Sequence, residues 1–111
     1  MRSDRERLLD MLEAIERIEA QAARGRSVFA SEELAQAAVI RWIEIIGEAA
    51  RGVTAELQEA HPEVPWRRMV AMRNVLIHGY FDIDVDLVWS AAQNDLPKLE
   101  AQIRAILSGM S

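Results

Sequence analysis

Cysteine is absent from this chain of 111 residues. That excludes disulfides and thiolate metal sites, and it suits a reducing compartment, by expectation the cytoplasm. No apolar run is long enough to span a bilayer, so no membrane is expected among its partners. The opening stretch Met1-Arg2-Ser3-Asp4-Arg5-Glu6-Arg7 is charged and passes directly into helical periodicity, unlike a signal peptide. Internal repeats, low-complexity tracts and linkers are missing too. Strand-like alternation is confined to Phe81 to Leu87. What remains is a chain that is half apolar, enough for one domain over 1–111 with a small core. So small a domain leaves apolar surface near solvent, and pairing with a second copy is a common remedy.

The net charge of −5 argues against a simple electrostatic nucleic-acid binder. Its distribution is uneven. Residues 1–60 are net −4 and residues 82–111 net −3, whereas residues 61–81 are net +2 through Arg67, Arg68 and Arg73 against Glu63. The one basic island coincides with the densest cluster of reactive side chains. On charge alone, three solvated arginines on a helix explain it equally well.

The periodicity predicts an all-α, up-and-down bundle of four to five helices. Leu8, Leu12, Ile15, Ile18 and Ala22 form one apolar stripe on a helix from about Ser3 to Ala23, stopped by Gly25. Arg24 to Ser27 read as a loop. A second helix begins at Ser31 as N-cap and ends near Gly52. It is apolar on more than one face, as expected of a helix that is central or shared with a partner. Thr54 caps a short third helix closed by His61-Pro62, and Pro65 takes the first position of a fourth, which ends at Gly79. A final helix runs from Asp84 or Asp86 to about Leu107. Pro97 should kink it, or split it after Asn94-Asp95.

The chemistry concentrates in Arg73-Asn74-Val75-Leu76-Ile77-His78-Gly79-Tyr80. A permanent cation near a group that titrates close to neutrality suits phosphodiester cleavage without a metal. RNA brings its own nucleophile, the 2′-hydroxyl. Cleavage then needs a base for that proton, donors for the extra phosphate charge and an acid for the leaving 5′-oxygen. His78 can serve as base or acid, Arg73 offers a fork of donors, and Asn74 can orient the imidazole or hold a phosphate oxygen. On an ideal helix Asn74 and His78 share a face, whereas Arg73 and His78 lie about 140° apart. The conflict relaxes if His78 sits at the helix end, or if two copies face each other so that one arginine meets the other histidine. By itself Arg-x4-His is a weak pattern that arises by chance in many proteins.

The longer string is more specific. Arg73 to Phe81 resembles the signature of the HEPN superfamily, and within it the HepT-like toxins of two-gene toxin–antitoxin systems. Trp42 to Ala49, His61 to Arg68 and Val88-Trp89 through Asn94-Asp95-Leu96-Pro97 also read like that family, in its order, so the resemblance covers essentially the whole chain. It implies an all-helical homodimer and a metal-independent ribonuclease without cofactor. Arg73 and His78 would be the catalytic pair, with Asn74 beside them. It further implies a cognate minimal nucleotidyltransferase antitoxin, MntA-like, that transfers AMP from ATP to Tyr80. An adenylate there would set anionic phosphate beside Arg73, in competition with RNA. Two readings stay open beside this one: a non-catalytic subunit that binds nucleotide or substrate for a nucleotidyltransferase, and a plain helical dimerisation module.

Other candidates carry less. His61 precedes a proline and is expected to close a helix. Glu44 and Glu48 are spaced to hold a cation or meet Arg73, but Arg41 and Arg51 are their expected partners. Asp82, Asp84 and Asp86 open like a calcium loop. Leu87 and Gln93, at its sixth and twelfth positions, do not continue one, so a turn and an acidic helix start are expected. Trp66 and Trp89 are expected in the core or an interface rather than stacked on bases.

Overall fold

A computed structural model describes residues 2–78 and 82–110. Among these residues the chain is helical, without a named strand, as the periodicity predicts. Helix α1 (Asp4–Ala22) opens with a capping box: Ser3 Oγ accepts from the Glu6 N–H, and the Glu6 carboxylate accepts from the Ser3 N–H. Helix α3 (Glu33–Gly52) is central and packs against both α1 and α5 (Trp66–Leu76). Leu8, Met11, Ile15 and Ile18 of α1 meet Val39, Ile43 and Ile46 of α3 in a core closed by Met69, Leu96 and Ile103. The apolar breadth of α3 is thereby largely explained: one side faces α1, another α5.

The boundaries differ from expectation in four places. The stretch expected as a loop and N-cap is itself helical, α2 (Arg26–Ser31), so Ser31 closes α2 and Glu32 precedes α3. The cause is local. Gly25 takes φ 110°, which turns the chain sharply after α1, and buried Phe29 pins the new turn to the core. Pro65 stands as the N-cap of α5 rather than its first residue. Helix α5 stops at Leu76, three residues before Gly79. The helix count rises accordingly: α4 (Ala55–Ala60) brings the separate helices to five, and a sixth, interrupted helix follows. Thr54 caps α4 and His61 closes it, both as expected.

That last helix runs as α6 (Val85–Ser90), a π-helical turn (Ala91–Asp95) and α7 (Leu96–Gly109). Pro97 has no N–H for the carbonyl of Gln93, and its ring crowds the preceding turn. The helix widens instead of breaking. The Asn94 amide donates to the Ser90 carbonyl at 3.1 Å within the widened turn. Arg104 of α7 reaches across to Glu16 of α1 at 2.6 Å and also bonds Glu100 of its own helix at 3.1 Å. Burial, reinforced by a hydrogen bond to Glu100, pushes the Glu19 carboxyl up to about 7.

Candidate active site

Helix α5 delivers the candidate residues, and its approach to α3 positions them. A Cβ on Gly47 would lie 3.5 Å from the carbonyl oxygens of Met69 and Val70, so the two backbones run close there. Glu44 is three residues before Gly47 and shares its side of α3; Arg73 is one turn beyond Met69 and Val70. The pair meets, with Arg73 Nε 3.2 Å from Glu44 Oε2. The partner discounted from sequence is therefore the one found. Arg73 also stands in the last turn of α5, where the helix dipole favours a cation. Among the described residues its Nε alone is hydrogen-bonded, which leaves the terminal guanidinium nitrogens to a ligand.

His78 lies beyond the helix. Ile77 turns extended (φ −120°, ψ 124°) and forms an isolated antiparallel bridge with Ile83. Both isoleucines are buried, so the core draws them together and the helix ends. The His78 N–H donates to the Asp82 carbonyl at 2.7 Å, and the Asp84 N–H donates to the Leu76 carbonyl at 2.8 Å. The chain thus returns on itself and brings Asp84 beside His78, with Nε2 3.4 Å from Asp84 Oδ2. The other Asp84 oxygen caps α6 by accepting from the Leu87 N–H at 3.0 Å. That bond first, with His78 as a further contributor, holds the Asp84 carboxyl below the usual carboxylate range. The expected acidic helix start is observed. Its second task, at the histidine, was not foreseen; the alternation of Phe81 to Leu87 was the available signal.

The sequence candidates are therefore not gathered into one cluster within the chain. Arg73 is tied to α3 and His78 to the start of α6, and no hydrogen bond or ion pair among the described residues joins them. Both remain partly exposed, at 38% and 52% of the side chain. Asn74 is exposed on α5, and the face it was expected to share with His78 ends when the helix does. Tyr80, the candidate acceptor of an adenylate, lies outside the described residues. His61 is engaged elsewhere: Nδ1 is 3.3 Å from Glu63 Oε2, and its carbonyl accepts from Trp66 Nε1 at 3.0 Å. Trp66 is buried in the core as expected, and Trp89 packs partly against it. Among the described residues no group of three His, Asp or Glu side chains converges as metal ligands, and no helix is long and apolar enough to cross a membrane.

Comparison with known proteins gives this geometry a setting. The family model described as ribonuclease HepT-like matches residues 11–106. "Probable ribonuclease HepT" of Thermococcus cleftensis is 39% identical over 109 residues, covering 95% of this chain and 96% of that protein. "Putative RNase MJ1380" of Methanocaldococcus jannaschii is 42% identical over 78 residues, 70% of this chain and 72% of its own. No solved structure gives a significant match. The chain belongs to the ribonuclease HepT-like family.

Proposed function

We propose that this member of the ribonuclease HepT-like family is a toxin endoribonuclease that cleaves RNA as a homodimer without a metal ion. The supporting observation is the exit of α5. There a guanidinium and an imidazole, five residues apart, each stay partly exposed and are each held by a single carboxylate. Side chains kept for packing would be buried; these stand ready for an anionic ligand. One protomer offers one such histidine, and the reaction has two proton transfers. Two copies arranged about a two-fold axis supply both, with the Arg73 of one copy facing the His78 of the other.

The chemistry balances with these groups. Neutral His78 of one copy takes the proton of the 2′-hydroxyl as O2′ bonds to phosphorus. Arg73 donates to the nonbridging oxygens, which carry more charge in the transition state than before it. The bond from phosphorus to O5′ breaks, and the protonated His78 of the second copy gives its proton to O5′. The products are a 2′,3′-cyclic phosphate and a 5′-hydroxyl. Asn74, exposed on the last turn of α5, is assigned to hold a phosphate oxygen. A cognate MntA-like nucleotidyltransferase silences the site by transferring AMP from ATP to the Tyr80 hydroxyl, two residues from His78: the phenol oxygen loses its proton and bonds to the α-phosphorus as pyrophosphate leaves. The adenylate phosphate then occupies the donors that RNA needs.

The test is cleavage of RNA by purified protein in excess EDTA, with the product ends analysed. Wild type yields the cyclic phosphate and 5′-hydroxyl, while His78→Ala and Arg73→Ala yield neither. A His78→Ala protein that cuts at the wild-type rate would refute the assignment. For the silencing step, protein incubated with the nucleotidyltransferase and ATP is mapped by mass spectrometry. AMP on another residue, with Tyr80 bare, rules that step out.

A further inference from the structure

From the turn that follows α5 we infer that Asp84 is a positioning residue for His78, fixing its ring by Nε2 and so presenting Nδ1 to the RNA. The inference rests on the proposed role of His78 in proton transfer. Three observations carry it. The first is the contact itself, Nε2 to Oδ2 at 3.4 Å. The second is that Asp84 is anchored on both sides independently of His78: its N–H is bonded to the Leu76 carbonyl at 2.8 Å, and its Oδ1 takes the Leu87 N–H at 3.0 Å. A carboxylate fixed by its own backbone and by a helix cap loses little freedom when it holds a ring, so the ring inherits a direction. The third is that the neighbouring carboxylate Asp86 is taken by Arg26 of α2, an ion pair that also secures the start of α6.

The arrangement decides which nitrogen works. A carboxylate only accepts, so the neutral ring donates its Nε2–H to Asp84 and keeps the Nδ1 lone pair outward. In the copy that starts neutral that lone pair is the base for the 2′-hydroxyl, and in the copy that starts protonated the Nδ1 proton is the one given to O5′. The ring's direction and its tautomer depend on Asp84. The aspartate itself transfers no proton.

Two substitutions separate this role from that of helix cap. Ser at 84 retains a cap for α6 but is too short to reach the imidazole; Asn at 84 retains both the cap and an acceptor oxygen for Nε2–H. The expected result for Asp84→Ser is an unchanged melting temperature and KM, with kcat lower by about tenfold. Asp84→Asn should recover most of that loss. Long-range nitrogen–proton spectra of the His78 ring supply a readout independent of cleavage. The wild type should show one tautomer, protonated at Nε2, and Asp84→Ser a mixture. The inference is overturned if Asp84→Ser keeps the wild-type kcat while His78→Ala is inactive. It is overturned equally if the ring spectra of wild type and Asp84→Ser coincide. If instead His78→Ala cleaves normally but the ring spectra still change, the contact stands and the proposed ribonuclease role of His78 is what fails.

Discussion

Replacing Glu44 by alanine should separate stability from activity. The Arg73–Glu44 pair is 3.2 Å apart, with 38% and 33% of the two side chains exposed. At that distance an effective dielectric near 20 gives a gross attraction of about 5 kcal/mol. Water reaches both groups, however, and measured pairs of this kind contribute about 1 kcal/mol or less. Buried Trp66 and Met69 anchor α5 to the core whether or not Glu44 is present. The expected stability loss is therefore below about 1 kcal/mol, a drop in melting temperature of no more than about 5 °C for a domain of this size. Activity should respond more. Glu44 holds Nε and thereby aims the two terminal nitrogens; without it the arginine must be ordered by the RNA itself. A tenfold lower kcat/KM corresponds to about 1.4 kcal/mol of transition-state stabilisation, a reasonable magnitude for one oriented fork. Thermal melts and initial cleavage rates on the same preparations measure both quantities. If Glu44→Ala cleaves faster or binds RNA more tightly, Glu44 competes with phosphate instead of aiming its donor, and the reasoning fails. A melt lowered by several kcal/mol fails it differently, by making the pair structural.

Other consequences can be measured directly. Glu19 is held protonated in the folded protein up to about 7, against 4.5 for an unperturbed glutamate. Its contribution to stability is therefore complete below about pH 4.5 and is lost as pH rises through 7. Urea unfolding at pH 5 and pH 8 should show the lower stability at pH 8, and Glu19→Gln should remove that part of the difference; an identical slope in the variant refutes the assignment. Gly25 takes φ 110° with nothing within 4 Å of an added Cβ, so Gly25→Ala tests backbone strain alone and should cost about 1–3 kcal/mol. A neutral melt would mean that the turn tolerates a side chain. Ile43 is 1% exposed between α3 and its neighbours, and Ile43→Ala should cost about 2–5 kcal/mol by urea titration. A loss below about 1 kcal/mol would show that the core around it collapses to fill the space.

What could be read from the sequence divides by the range of the interaction involved. The stripe from Leu8 to Ala22, the Thr54 cap and the closure at His61 depend on neighbours one helical turn away, and periodicity captured them. Pro97 was legible as a disturbance. The helix widens into a π-helical turn over Ala91–Asp95, where the Asn94 amide donates to the Ser90 carbonyl, and the sequence pattern does not distinguish that widening from a break. Helix α2 was missed because Gly25 resembles a stop signal and only the burial of Phe29 makes the following residues coil again. The end of α5 was missed for a comparable reason. Gly79 looks like the natural terminus, but Ile77 gains more by pairing with Ile83 against the core than by continuing the helix. Likewise, Arg73 lies 29 residues from Glu44, and nothing local favours it over Arg41 or Arg51 as the partner of that glutamate.

The early end of α5 also resolves the angular conflict in the motif. A straight helix would hold Arg73 and His78 about 140° apart, with their relation fixed by the helix itself. Leaving the helix at Ile77 removes that constraint and transfers it to two other elements: α3 through Glu44, and the start of α6 through Asp84. The relative placement of guanidinium and imidazole then depends on how α3, α5 and α6 pack, not on helical geometry. Shifts between those elements should therefore alter the proposed chemistry more than changes confined to the exposed side of α5. Val75 is 54% exposed on α5, between the two candidate residues in sequence, and it supplies the control. Val75→Ala leaves both carboxylate tethers untouched, so it should change neither kcat nor the melting temperature appreciably. A large loss of cleavage that is restored by raising the protein concentration would instead locate Val75 in a contact between copies, as the proposed two-chain site requires.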